Sequence, residues 1–287
     1  MAKFRLSAFA DEAAVSLSDQ LAALAEEGVD QLELRGVNGK NCAQLTLEDA
    51  RAVRRALEAQ GVTLSALGSP YGKAPIDQPF DEHRALFSHG LALCDALGCG
   101  RIRMFSFYLP ADGHPERWRD EVLRRLEMMV TMAEKAGVML VHENEKGIYG
   151  DTDVRCAELL DAFDGRMGCV FDPANFIQCG VEPYKAFTLL EKRITYMHIK
   201  DALFADGSVV PAGEGDGRLL ELLRRLDRSR DNEITLTLEP HLRVFNGLAE
   251  LQGEALSNRR AYASGREAFH AACEALKKLL KQIEEEK

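Results

Sequence analysis

Eight short apolar runs recur along this chain, and a segment of helical periodicity follows each of them. The β-like runs cover residues 4–9, 31–35, 63–67, 101–106, 138–143, 167–172, 194–200 and 234–239. Between them, Leu17, Leu21 and Leu24 share one face of a predicted helix over 17–27. Leu123, Leu126, Met129 and Val130 do the same over 116–135. A last helix opens at Ser264-Gly265-Arg266-Glu267, which reads as a capping box, and carries Phe269, Ala272, Leu276, Leu279 and Ile283 at core spacing. Gly28, Gly61, Gly98 and Gly137 stand where helices must stop before the next strand. Strands that alternate with helices pair in parallel through right-handed crossovers. A count of eight favours a closed (β/α)8 TIM barrel over an open doubly wound sheet. With no linker, low-complexity stretch or charge block, residues 1–287 are expected to form one barrel domain. Barrels of about 250 residues are routinely single domains.

Four of the runs end on a side chain that can ligate a metal. They are Val141-His142-Glu143-Asn144-Glu145, Val170-Phe171-Asp172-Pro173-Ala174-Asn175, Tyr196-Met197-His198-Ile199-Lys200-Asp201 and Leu236-Thr237-Leu238-Glu239-Pro240-His241. The C-terminal ends of barrel strands are where barrels place their sites. Glu143, Asp172, His198 and Glu239 offer three carboxylates and one imidazole. That set suits Mn²⁺ first, then Mg²⁺ or Co²⁺, rather than a thiolate-seeking ion.

Alternation along each strand extends the set. Residues two apart face the same way, so Lys200 accompanies His198 inward and His241 accompanies Glu239. With Leu32, Leu34, Ile102 and Met104 packed outward, Glu33, Arg35, Arg103 and Phe105 point into the barrel. A salt-bridge network that merely closes the barrel accounts for Glu33 and Arg103 singly. It does not account for Glu33, Arg35, Arg103, Lys200 and His241 together with the four ligand candidates, because a pure core uses Val, Ile and Leu. His142 has the opposite parity to Glu143 and reads as packed beside the site, and Glu145 is a weaker ligand candidate. The run Val210–Gly217 matches no phosphate loop. It reads as a plain turn or a mobile loop beside the site. Lys73, after the third strand, reads as a solvated loop lysine or as a contact for an anionic ligand.

The remaining properties exclude whole classes. A net charge of -10 argues against a nucleic-acid partner. Seven scattered cysteines with no C-x-x-C pair offer no thiolate zinc site and read as reduced thiols of a cytoplasmic protein. No run approaches the ~20 apolar residues of a membrane helix, and the first residues lack a signal-peptide core. No G-x-S-x-G elbow supports a serine hydrolase.

The runs HENEKGIYGD, FDPANF, HIKD, PAGEGDG and LEPHL, in this order, resemble the sugar phosphate isomerase/epimerase family with its xylose isomerase-like barrel. The resemblance spans nearly the whole chain. It implies one divalent metal ion, with Zn²⁺ also admissible, held by Glu143, Asp172, His198 and Glu239. It also implies that Glu143 and Glu239 are catalytic and move protons at adjacent substrate carbons. Three positions depart from ketose 3-epimerases of that group. Asn175 stands where they carry a histidine, Phe204 where they carry an arginine, and Tyr149 near the place of a second substrate-binding glutamate. The expected activity is isomerisation or epimerisation of a sugar, sugar phosphate or cyclitol through α-proton abstraction and a metal-stabilised enediolate. Elimination from a keto-sugar or keto-inositol by the same abstraction is the first alternative. Arg35, Lys200, His241 and Asn175 are the expected substrate contacts, the partner is a small polyhydroxy carbonyl compound, and a homo-oligomer is compatible with the chain. A phosphodiesterase resembling the trinuclear-zinc apurinic endonucleases is disfavoured. Histidines are missing at the ends of strands three and four, which read Leu67-Gly68-Ser69 and Phe105-Ser106-Phe107. A noncatalytic sugar-binding barrel is the last alternative.

Overall fold

Parallel pairing closes on itself in this chain, so the open-sheet alternative is excluded. The computed structural model describes residues 2–111, 113–243 and 261–287. The barrel strands are β1 (Lys3–Ala8), β2 (Gln31–Leu34), β3 (Thr63–Gly68), β4 (Arg101–Met104), β5 (Met139–Glu143), β6 (Met167–Phe171), β7 (Ile194–Ile199) and β8 (Glu233–Leu238). They run in sequence order around the barrel, and β8 pairs with β1 from Lys3↔Glu233 to Ala8↔Leu238. The result is a (β/α)8 TIM barrel.

Outside lie α1 (Leu17–Glu27), α2 (Leu47–Gln60), α3 (Asp81–Leu97), α4 (Arg119–Lys135) and α5 (Asp153–Ala162). They are followed by α6 (Pro173–Gln178), α7 (Pro183–Leu190), α8 (Leu219–Ser229) and α9 (Gly265–Glu285). Among the described residues, α6 is a short helix added to the expected alternation; it starts because Asp172 caps it and Pro173 occupies its first position. Gly28, Gly61 and Gly98 are the left-handed caps of α1, α2 and α3. At α9, Ser264 Oγ accepts from the Glu267 amide as expected. The Glu267 carboxylate, however, accepts from the Ala263 amide, one residue before the position of a capping box.

The apolar core is mostly a cylinder between strands and helices. Leu32, Leu34, Ile102, Met104, Leu236 and Leu238 point outward from their strands and pack with helix residues such as Leu24, Val53, Leu126 and Leu276. Each such fully buried side chain contributes roughly 1.5–3 kcal/mol. Inside the barrel the apolar contribution is much smaller, a cluster of Ala66, Val141, Val170 and Tyr196. Above that plug the interior is largely polar, with the Phe9 and Phe105 rings set among the charged side chains. No described helix is long and apolar enough to cross a membrane.

Loops after β3, β4 and β5 raise one side of the wall beyond the strands. Phe105 and Phe107 donate their amides to the Tyr71 and Gly72 carbonyls, Tyr108 pairs with Ala74, and Leu109 with Gly147. Gly72 sits at the tightest point, with φ +86° and the Phe105 carbonyl oxygen 2.0 Å from where a Cβ would stand. Gly28 has a similar φ, +66°, but nothing within 4 Å. Gly28→Ala should therefore cost only the left-handed backbone term of about 1–2 kcal/mol. Gly72→Ala adds a backbone collision and should cost clearly more. Urea unfolding of the two variants checks the order; equal losses would show that the rim yields without strain.

Candidate metal centre

Side chains from four adjacent strand ends converge at the C-terminal mouth. Glu143 ends β5, Asp172 follows β6, His198 lies in β7 and Glu239 follows β8. Each offers one ligand atom, and these atoms all lie within 4.8 Å of one another. All four residues are buried. His198 Nδ1 lies 2.9 Å from Glu143 Oε1 and 3.1 Å from Glu239 Oε2. Its other nitrogen, Nε2, faces Glu33 Oε2 at 3.2 Å, and Glu33 Oε1 accepts from the Tyr196 hydroxyl at 2.9 Å. The imidazole is thus held between one carboxylate behind it and the cluster in front, an arrangement that orients metal-binding histidines.

Asp172 is divided in the same way. Its Oδ1 accepts from the Asn175 amide at 2.9 Å, the capping bond that starts α6. Its backbone exchanges two bonds with the Asn144 side chain, at 2.8 and 2.9 Å, which locks the end of β6 to that of β5. Oδ2 is left buried with no aligned hydrogen bond, although Lys200 Nζ lies 2.9 Å away. A buried carboxylate oxygen without an aligned donor is costly. A cation at this point would satisfy it.

The charge balance points the same way. Among the described residues, Glu33, Glu143, Asp172 and Glu239 face Arg103 and Lys200 as full cations, with Arg35 shared between Glu239, Asp11 and Glu12. With the imidazole neutral, as a metal ligand must be, and all four carboxylates ionised, two negative charges would remain in a low-dielectric site, the charge that one divalent ion would offset. Burial pushes the Asp172 carboxyl up to about 7, with Glu239 and Glu143 adding to the rise and Lys200 opposing it. Burial alone would also raise Glu239, but Lys200, His241 and His198 hold it well below the ordinary range. His198 would be lowered by burial, yet Glu143, Glu33 and Glu239 raise it well above its usual value. The oxygen-rich set with one nitrogen fits a divalent cation.

The other expected residues lie around this cluster. Lys200 Nζ bonds Glu239 Oε2 at 3.2 Å. Asn175 Nδ2 donates to Glu143 Oε1 at 3.2 Å and to the Asn144 carbonyl, and its Oδ1 is buried without a partner. Arg35 and His241 both reach Glu239 Oε1, at 3.2 and 3.3 Å. His142 points away from the cluster to Ser106 Oγ at 2.9 Å. Lys73 is not a solvated lysine: its Nζ lies 2.8 Å from Glu145 and 4.4 Å from the centre of the Phe105 ring. Val210–Gly217 is neither a plain turn nor a loosely held loop. The amides of Gly213, Gly215 and Gly217 all donate to the Asp201 carboxylate at 2.8–3.1 Å. Asp11, Glu12, Asn144 and Asp201 carry no strand-parity signal and were not singled out from the sequence.

Residues 21–263 match a family model described as xylose isomerase-like TIM barrel. The chain belongs to that family. No curated protein matches it in sequence. Among solved structures, it is similar to a D-tagatose 3-epimerase-like protein at 18% identity and TM-score 0.72, over 98% of this chain and 99% of that one. It is also similar to the IolI protein with a bound zinc atom (16%, TM-score 0.73, 97% and 99% covered). A third is a probable 3-DHS dehydratase, AsbF, from Bacillus anthracis (16%, TM-score 0.71, 96% and 99% covered). Identities this low establish the shared barrel alone.

His142 gives this xylose isomerase-like barrel a pH signature separate from the cluster. Ser106 Oγ accepts from the Gly150 amide at 2.8 Å, so its own hydrogen is available to His142 Nε2. Burial lowers the imidazole from 6.5 to about 3. As pH falls below 6.5, the unfolded chain binds a proton that the folded one refuses, so stability is lost on the way down. The slope is at most about 1.4 kcal/mol per pH unit. His142→Gln should flatten the dependence of unfolding free energy on pH by close to one proton between about pH 6 and 4. Urea titrations at stepped pH measure it; unchanged slopes would mean that His142 takes up its proton in the folded state.

Proposed function

We propose that this chain is a divalent-metal-dependent isomerase or epimerase of a sugar, sugar phosphate or cyclitol. The observation that carries the reading is the convergence of Glu143, Asp172, His198 and Glu239, with one Asp172 oxygen lacking an aligned donor. These four residues are the proposed ligands, with Mn²⁺ as the leading ion. When bound, a divalent ion supplies a Lewis acid that polarises a carbonyl oxygen of the substrate.

The protein's own groups do the rest. Glu143 and Glu239 leave strands β5 and β8, and both are within reach of His198 Nδ1. One of them removes the proton α to the carbonyl and the other returns a proton. Return to the adjacent carbon isomerises, and return to the same carbon from the opposite face epimerises. General acid–base action of this kind contributes roughly 10²–10⁴-fold. Lys200 brings a buried ammonium beside both Asp172 and Glu239, where negative charge develops on the substrate oxygens. Asn175 presents an acceptor oxygen suited to a hydroxyl group, and His241 a ring nitrogen beside Glu239. Loss of a β-hydroxyl after the same abstraction would give a dehydratase, and the similarity to a probable dehydratase keeps that reading open.

The ends of β3 and β4 weigh against a polynuclear phosphodiesterase. Ser69 Oγ donates to the Arg103 carbonyl, and Phe105 is buried beneath Lys73. We therefore expect one tightly bound divalent ion per chain, counted by elemental analysis of protein purified without chelator. At a free concentration a hundred times its Kd, the ion should stabilise the fold by about 2.7 kcal/mol. Two or three bound zinc ions would favour the phosphodiesterase instead.

The chemistry is tested by solvent exchange. Metal-loaded protein in deuterated water, given pooled ketoses, keto-cyclitols and oxidised sugars, should place deuterium at the α-carbon of at least one. Glu143→Gln should slow this at least about a hundredfold, compared at full metal occupancy. Sugar binding without any exchange would support the noncatalytic barrel.

A further inference from the structure

Arg35 follows β2 on the opposite side of Glu239 from the metal ligands, and its whole guanidinium is engaged. Nε and NH2 grip Asp11 through two parallel bonds, to Oδ2 at 2.9 Å and Oδ1 at 3.0 Å. NH2 also reaches Glu12 Oε1 at 3.1 Å. NH1 meets Glu239 Oε1 at 3.2 Å and His241 Nε2 at 3.3 Å. The face of the group lies 4.3 Å from the centre of the Phe9 ring. A guanidinium has five N–H bonds, and these contacts call on all five when His241 Nε2 carries no proton and accepts.

The consequence falls on Glu239. Its Oε1 is turned to Arg35 and His241, while Oε2 is turned to His198 Nδ1 at 3.1 Å and Lys200 Nζ at 3.2 Å. The two oxygens of one carboxylate are thereby assigned to opposite sides. His241 is held in the same frame. It has φ +44°, uncommon for a residue with a side chain, and its amide donates to Glu12 Oε2 at 2.7 Å. The turn after β1, the end of β2 and the end of β8 thus meet on one planar group.

Resting on the metal-site reading above, we propose that Arg35 is a positioning residue: it pins Glu239 Oε1 so that Oε2 alone is presented to the ion. Arg35 therefore has a task different from the substrate contact expected from strand parity. The forked geometry is what does this, not the positive charge. Removing the charge would draw a cation in more strongly, whereas losing the fork lets the carboxylate rotate, so the two contributions are separable by Arg35→Lys.

Mn²⁺ affinity is measured by calorimetry on the whole chain, with electron paramagnetic resonance of the bound ion as a reporter of ligand geometry. Arg35→Lys should weaken the Mn²⁺ Kd about tenfold to a hundredfold, in the range of lost outer-shell support, and change the zero-field splitting. Glu239→Gln should then weaken binding by a smaller factor in the Arg35→Lys background than in the wild type, because the two residues act as one unit. A Kd within twofold of wild type with an unchanged spectrum overturns the positioning role and leaves the metal site standing. A wild-type protein that binds no Mn²⁺ overturns both. Circular dichroism establishes folding. If Arg35→Lys does not fold, Asp11→Asn weakens the far anchor with Arg35 in place and is judged by the same Kd limit and spectrum.

Discussion

Like charges crowded into a closed barrel are the constraint that organises this protein. Four carboxylates, those of Glu33, Glu143, Asp172 and Glu239, are buried within one polar layer, where desolvation costs several kcal/mol per ion. Such a layer persists only if nearly every oxygen has an assigned partner, and Asp172 Oδ2 is left without an aligned donor. Arg103, Lys200, Arg35, His198 and Tyr196 supply most of the partners. The small apolar plug below consists of Ala66, Val141, Val170 and Tyr196. The external cylinder of Leu, Ile, Phe and Met then carries the stability that the interior cannot. Charge and apolar packing are thus divided by layer, the charges within and the hydrophobic contacts without.

Much of the arrangement was legible because strand alternation is a local rule. Glu143, His198 and Lys200 show their direction from two or three neighbours, and the structure brings them together with Asp172 and Glu239. The pairings themselves were not legible. His198 and Glu33 are separated by 165 residues, and Arg35 and Glu239 by 204. No periodicity specifies contacts made only when β8 meets β1. Asp172 was read as the end of a strand, but it is also the cap of α6, and the cap is what commits its two oxygens to different tasks. Of the two readings of Lys73, the solvated one fails for a related reason. A loop lysine looks solvated until the raised rim between β3 and β5 covers it and sets Glu145 beside it.

Low sequence identity to structures sharing the barrel fits this picture. The apolar cylinder tolerates exchange among similar side chains, provided volume and pattern are kept. The charged layer does not, since altering one member leaves another buried without a partner.

The loop closing over Asp201 has a consequence for how this mouth can diversify. Its glycines look like freedom of movement, but at Gly215 and Gly217 their role is room. A Cβ at Gly215 would stand 2.3 Å from Asp201 Oδ1, one at Gly217 2.6 Å from the same oxygen, and one at Gly213 2.9 Å from Leu279. A randomised library spread evenly over this segment would spend two positions on variants that displace the Asp201 carboxylate, and a third on Gly213, whose φ of +85° strains any other residue. Variation aimed at Phe204, which is 46% exposed on the same side of the mouth, leaves that carboxylate in place. Changes that reshape this mouth without undoing the loop should accordingly fall around the glycines and not at them.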